Sequence, residues 1–192
     1  DVYKRQLQAY VDNDGSHYFP LLETRSDLHP QFQRLAVFDL LANNTDRKSG
    51  HVLLGNLPGT GSDEQVWGID HGLCFHQDPK LRTVIWDFAH EEVEAELVDT
   101  LAPLVGAVPD EVASLLTEPE VAALRARASR IVRLPWLPEP RSHYQFPWPW
   151  CSGRLPDQRF AMGPSTLSTS NGNSSATKLA RPKVPAMATG MI

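Results

Sequence analysis

Asp46, Lys48 and His51 lie close together in the stretch LANNTDRKSGHVLL, residues 41–54, and Asp70 follows in VWGIDHGLCF, residues 66–75. Two carboxylates at the ends of extended segments, with an ammonium beside the first, suit the transfer of a metal-bound phosphoryl group. In that chemistry the developing charge sits on phosphate oxygens. A site must therefore hold a divalent cation with hard ligands and bring a second cation to the transferring group. On this reading Asp46 accepts or orients the proton of an attacking hydroxyl, and Lys48 meets the phosphoryl oxygens. Asp70 is the main metal ligand, and His51 is a second one.

The spacing has a counterpart. Kinase catalytic loops carry a metal ligand five residues after the catalytic Asp, and a further metal-binding Asp in an Asp-x-Gly turn. Here His51 stands five residues after Asp46, and Asp70-His71-Gly72 forms the turn. The segments NNTDRKSGHVLL and GIDHGLCF resemble the phosphatidylinositol 3-/4-kinase group, in particular the type II phosphatidylinositol 4-kinases. Those enzymes pair an N-T-D-R catalytic loop with an I-D-N-G-L metal-binding turn. Residues 10–150 also resemble an actinobacterial kinase-like family in AVFDLLANNTDRK, in LRTVIWDFA (81–89) and in FPWP (146–149).

The resemblance implies an α+β, protein-kinase-like fold: a mostly helical large lobe with a small β hairpin carrying the site. It also implies ATP with Mg²⁺ or Mn²⁺, and a hydroxyl acceptor that is a lipid, a protein or a small molecule. His51 departs from the pattern, because those kinases place Asn there. Imidazole suits softer ions than Mg²⁺. A kinase-like binding or scaffold module without catalysis is the rival reading, and a metal hydrolase using His51, His71 and His76 is a third. No HxH or HExxH spacing supports the hydrolase.

The elements that must position these residues are legible in outline. Residues 7–13, LQAYVDN, read as the strand entering an interlobe hinge. That makes Tyr10, Val11 and Asp12 candidates for the nucleotide site, and NDGSH, 13–17, reads as a turn. His29-Pro30 opens a helix reaching Leu41, apolar nearly all round and therefore buried, which presents the Asp46 loop. Strands are expected at 51–55 and 65–70, joined by LPGTGS as a hairpin-type loop. Leu81–Trp86 falls where an activation segment would lie, with Trp86 and Phe88 as core packing. A helix is expected over 90–105, and a short one over 110–116 capped by Asp110. A third opens on the Thr117/Glu120 capping box, with the stripe Val121, Leu124, Ala128 and Ile131. Arg125, Arg127, Arg130 and Arg133 on that helix read as a solvated face. The segment PWLPEPRSHYQFPWPW cannot be helical. It is expected to wrap back over the lobe and bury its aromatics, rather than to serve as a Pro-rich partner ligand.

Composition bounds the rest. The formal charge is −5, and residues 151–192 carry five Lys/Arg against one Asp, so residues 1–150 carry −9. An acidic body argues against a nucleic-acid partner and against tight docking on anionic membranes. Cys74 and Cys151 make no CxxC pair and read as reduced thiols of a cytoplasmic protein. No apolar run reaches the length of a transmembrane segment. The opening DVYKRQ resembles a translated sequencing adapter, so residues 1–6 are expected to be foreign, with Lys4 an ordinary exposed lysine. The kinase-like large lobe is then expected over 7–150, with most of the small lobe missing upstream. Residues 151–192, rich in Ser, Thr, Asn, Gly and Pro, are expected to be a disordered or aberrant tail.

Overall fold

Helix α2, His29–Ala42, is the spine of the protein. Pro30 sits in its first turn, where a missing N–H costs nothing. Phe32, Ala36, Val37 and Ala42 are buried, along with one charged residue, Asp39. The helix ends at Asn43, whose left-handed backbone (φ 53°) lets its N–H close on the Asp39 carbonyl. The computed structural model describes residues 10–58 and 63–148. The expectations for residues 1–6 and 151–192, and part of the LPGTGS loop, lie outside them.

Around α2 is a mixed architecture, helices with one small antiparallel sheet, which agrees with the α+β expectation. Strand β1, Asp12–His17, pairs with β2, Val52–Asn56, and β2 with β3, Gln65–Gly68, in the order β1-β2-β3. The register sets Asp12 opposite Asn56 and Val52 opposite Gly68. The expected turn at 13–17 is therefore strand. Its Asn, Asp and Gly are accommodated by an irregularity between Asn13 and His17, with Gly15 at φ 83° and two side-chain-to-backbone bonds in the bend. Strand β3 stops at Gly68, two residues short of expectation, because Ile69 leaves the ladder and donates to the His51 carbonyl.

Helix α1, Tyr18–Thr24, follows β1 directly. Tyr18 packs edge-on to Phe32 at 5.2 Å and donates to Asp87 at 2.8 Å, so a core aromatic keeps its hydroxyl satisfied. The helix expected over 90–105 begins only at Ala95. Residues 91–94 are not helical, and Glu92 is bridged to Trp136. Pro103 then divides the rest into α3, Ala95–Leu101, and α4, Pro103–Gly106. Helix α5, Asp110–Ala113, has Pro109 as its N-cap, so Asp110 is the first helical residue and not a cap.

Helix α6, Glu118–Arg133, fulfils its expectation. Glu120 accepts from the Thr117 backbone and hydroxyl, and Leu124, Ala128 and Ile131 are buried. Its arginines are not all solvated. Arg125 donates to the Val105 carbonyl near the end of α4, and Arg127 to the Leu41 carbonyl near the end of α2. Each guanidinium satisfies a carbonyl that a helix end leaves open. The Pro- and Trp-rich segment does wrap back. Leu137 is buried, and the Gln145 carbonyl accepts from Thr83 and from the Trp86 indole. Its described aromatics are buried only in part: Phe146 is half-buried and meets Trp86 edge-on, while Trp136, Tyr144 and Trp148 are exposed. No helix among the described residues is long and apolar enough to cross a membrane.

Gly55 is the position in the sheet where an added side chain would meet backbone. A Cβ there would lie 2.1 Å from the Asp12 carbonyl oxygen, a backbone atom that cannot swing aside. Gly55→Ala should cost about 1–3 kcal/mol of stability in urea denaturation, the usual range for overpacking. Gly50→Ala, where the added atom meets open space, should leave the transition in place.

Candidate functional site

The loop that follows α2 is held from both sides. Asn43 donates to the carbonyls of His76 and Asp78 and accepts from Lys80 N–H, so one side chain fastens the chain beyond the Asp70 turn to the end of α2. Asn44 donates to Asp39 and accepts from the Asp46 N–H. Thr45 donates to the Leu73 carbonyl through both its N–H and its hydroxyl. Arg47 forms a parallel bridge with Thr83, exchanging backbone bonds with Arg82 and Val84. Ser49 is buried, with its hydroxyl 2.7 Å from His17 Nδ1.

Beneath the loop lies a buried ion pair. The Arg47 guanidinium and the Asp39 carboxylate are both fully excluded from solvent and meet at 3.0 Å. Arg47 also donates to the carbonyls of His51 and Ile69, and to His71 Nδ1. Asp39 also accepts from Asn44 and Thr83. His71 Nε2 bonds the Gly68 carbonyl, so Nε2 carries the proton and Nδ1 is the acceptor. Burial, reinforced by the Arg47 charge, holds this imidazole below its usual pKa. Gly68 leaves space for the arrangement, since a Cβ there would press on Leu35, His71 and Arg47.

The predicted catalytic and metal residues stand above this base. Lys48 Nζ is 2.8 Å from Asp46 Oδ2, with both side chains partly exposed. His51 Nδ1 lies 2.9 Å from the Asp46 carbonyl, which makes it the protonated nitrogen and leaves Nε2 with its lone pair. That Nε2 is 3.6 Å from Asp70 Oδ2. Asp70 projects into solvent from a left-handed backbone, φ 56°, a conformation uncommon for a non-glycine residue. So Asp46, Lys48, His51 and Asp70 form one continuous set. Tyr10, Val11 and Asp12 do not join it. Asp12 pairs with Asn56, at the far end of β2 from His51. Val11 is buried with its carbonyl accepting from Asn13, and Tyr10 is exposed.

The groups nearest Asp70 are of unlike kinds, a hard carboxylate and the softer nitrogen of an imidazole. A carboxylate and an imidazole lone pair face one another, and no group of three or more His, Cys, Asp or Glu side chains among the described residues could hold a metal unaided.

The reading by motif missed Asp39 and Thr83, and it gave Arg47 and His71, which lie inside the quoted motifs, no part in supporting the site. A signal for Asp39 existed: it is the one acidic residue on a helix otherwise apolar nearly all round, and a buried carboxylate needs a partner. Nothing in the local spacing marks Thr83, and the Asp-x-Gly turn leaves the identity of the residue at 71 open.

No family model matches the chain. Over 123 residues, 62% of the chain, it is 40% identical to Protein Rv2133c of Mycobacterium tuberculosis, covering 42% of that protein. Over 112 residues, 51% of the chain, it is 33% identical to phosphatidylinositol 4-kinase gamma 5 of Arabidopsis thaliana, covering 16% of that protein. The chain spans less than half the length of either relative. The second match is a distant, partial similarity to a phosphatidylinositol 4-kinase, which suggests a kinase-like relationship at most.

Cys74, just past the turn, is a free thiol. Burial, then the Asp39 and Asp70 charges, push its pKa up to about 11. In a Cys151→Ser background, native Cys74 should alkylate with iodoacetamide at a rate still climbing at pH 10. The urea-unfolded chain should level off once pH passes the ordinary thiol value. A native rate that levels off with the unfolded one would contradict the burial. Since the folded thiol binds its proton more tightly, the stability it contributes is complete below the ordinary value and is lost as pH rises toward 11.

Proposed function

We propose that this chain is part of an ATP-dependent phosphotransferase that moves a phosphoryl group to a hydroxyl, with a protein-kinase-like lobe as its scaffold. The observation that carries the proposal is the contiguity of four side chains. The Asp46–Lys48 pair at 2.8 Å and the His51–Asp70 pair at 3.6 Å are joined through the His51 bond to the Asp46 carbonyl. Their order and spacing match a kinase catalytic loop and metal-binding turn, and the partial similarity to a phosphatidylinositol 4-kinase points the same way.

Asp46 orients the acceptor hydroxyl and takes its proton as oxygen attacks the γ-phosphorus and ADP departs. The Lys48 ammonium, already beside Asp46, stabilises negative charge on the transferring group. Asp70 and His51 would hold Mg²⁺ or Mn²⁺, which when bound neutralises the β- and γ-phosphate oxygens. Tyr10, Val11 and Asp12 remain the proposed adenine contacts, at the strand end away from the phosphoryl group. The acceptor is a lipid, a protein or a small molecule, and the site is proposed to work in the cytoplasm. A binding or scaffold module without catalysis is the second reading. The specific features favouring it are His51 in place of Asn and the small number of metal ligands among the described residues.

Calorimetric titration of the intact parent protein with ATP in Mg²⁺, then in Mn²⁺, separates the two. Asp70→Asn should weaken nucleotide binding at least about tenfold, the loss of one hard charged ligand. His51→Asn should keep binding in Mg²⁺, because a neutral oxygen ligand replaces imidazole. Loss of binding in both metals on His51→Asn, with Asp70→Asn unaffected, would overturn the metal assignment. An intact parent protein that binds no nucleotide in either metal would favour the scaffold reading.

A further inference from the structure

Ser49 stands between two of the four chemical residues. It opens the short helical turn Ser49–His51, with Lys48 just before it, and the His51 N–H closes on the Lys48 carbonyl at 3.0 Å. The tip of this turn is open. Gly50 is exposed, and a Cβ added there would meet nothing within 4 Å. Ser49 is instead buried, and its hydroxyl lies 2.7 Å from His17 Nδ1, its one hydrogen-bond partner among the described residues.

His17 is anchored independently of that turn. It is the last residue of β1, opposite Leu53 in the ladder with β2. Tyr18, next in the chain, is fully buried with its hydroxyl on Asp87. His17 also occupies the N-cap position of α1, where a polar side chain commonly bonds the first N–H groups of the helix. The imidazole makes no such bond. It turns across the fold to Ser49, 32 residues away in sequence.

The bond therefore runs from a packed strand end to a turn that carries an ammonium on one side and an imidazole on the other. Lys48 has to stand 2.8 Å from Asp46 while His51 Nε2 faces Asp70 at 3.6 Å. Groups that act on one phosphate chain must keep such positions closely, since a misplacement of about 1 Å can cost on the order of a hundredfold in rate.

We propose that His17 is a positioning residue of the phosphotransfer site: by holding Ser49 it fixes the turn that presents Lys48 and His51 to the phosphate groups of the nucleotide. This role rests on the function proposed above and adds to it a residue outside the catalytic loop.

The test is calorimetric titration of the intact parent protein with ATP in Mg²⁺ and with adenosine, which has no phosphates. His17→Ala and Ser49→Ala should each weaken ATP binding about three- to tenfold, the range for one lost hydrogen bond, and leave adenosine binding unchanged. The double variant should lose no more than the weaker-binding single variant, because both changes remove the same bond. His17→Asn, whose amide reaches the place of Nδ1, should recover most of the ATP affinity. Unchanged ATP affinity in both single variants of a parent that binds ATP would overturn the proposal and leave the phosphotransfer function standing. So would an equal loss for adenosine, which a merely loosened fold would give, losses that add in the double variant, or His17→Asn binding no tighter than His17→Ala. A parent that binds neither ligand would overturn both the proposal and the function it rests on.

Discussion

The structure depends on one buried ion pair. Arg47 offers five N–H groups, and each has a partner: Asp39 from Nε and Nη2, the His51 and Ile69 carbonyls from Nη1, and His71 from Nη2. Asp39 in turn accepts from Asn44 and Thr83. Removing two charges from water costs several kcal/mol per ion, which attraction offsets only when geometry is good and the remaining hydrogen-bonding capacity is filled. Here it is filled, and by groups from five places in the chain: α2, the 44–51 loop, the end of β3, the Asp70 turn and the 83 segment. The pair contributes less as net stability than as a requirement that those five segments arrive together.

That requirement explains how an exposed site can have defined geometry. Asp70 is mostly in solvent and has an unfavourable backbone conformation, so its own contacts do not hold it. It is held by neighbours on either side: Ile69 through its carbonyl to Arg47, and His71 through Nδ1 to the same guanidinium. Asp46 is held likewise between Asn44, which fixes its N–H, and Arg47. His51 is oriented by its bond to the Asp46 carbonyl, which determines which nitrogen is free to face Asp70. The four side chains that could do chemistry remain accessible, while the network beneath carries the rigidity.

The parts legible in the sequence were those written in local spacing. Proline at position 30, the capping box at Thr117 and Glu120, and the apolar stripes of α2 and α6 announce helices, because helix signals lie within a few residues of each other. The two β segments around the site were also legible, to within two residues. What failed were readings that tertiary contacts override. Asn13, Asp14 and Gly15 are turn formers by propensity, yet pairing with β2 draws them into a strand. The 90–105 periodicity ran through Pro103 and through Glu92, which a bridge to Trp136 holds out of the helix. Arg127 looked like any surface arginine until α2 placed an open carbonyl beside it. At the site, the chemical side chains stood in a short motif and could be named. Their foundation could not, because Asp39, Arg47, His71 and Thr83 converge from a stretch of more than forty residues with no spacing rule to link them.

The most direct test is a double-mutant cycle on the buried pair, read by urea denaturation of Asp39→Leu, Arg47→Leu and the combined variant. Each single change strands a buried charge and should cost roughly 3–5 kcal/mol, while the double change, which leaves an apolar pair, should cost clearly less than the two together. Single losses under about 1 kcal/mol that simply add, as for distant surface sites, would contradict the account.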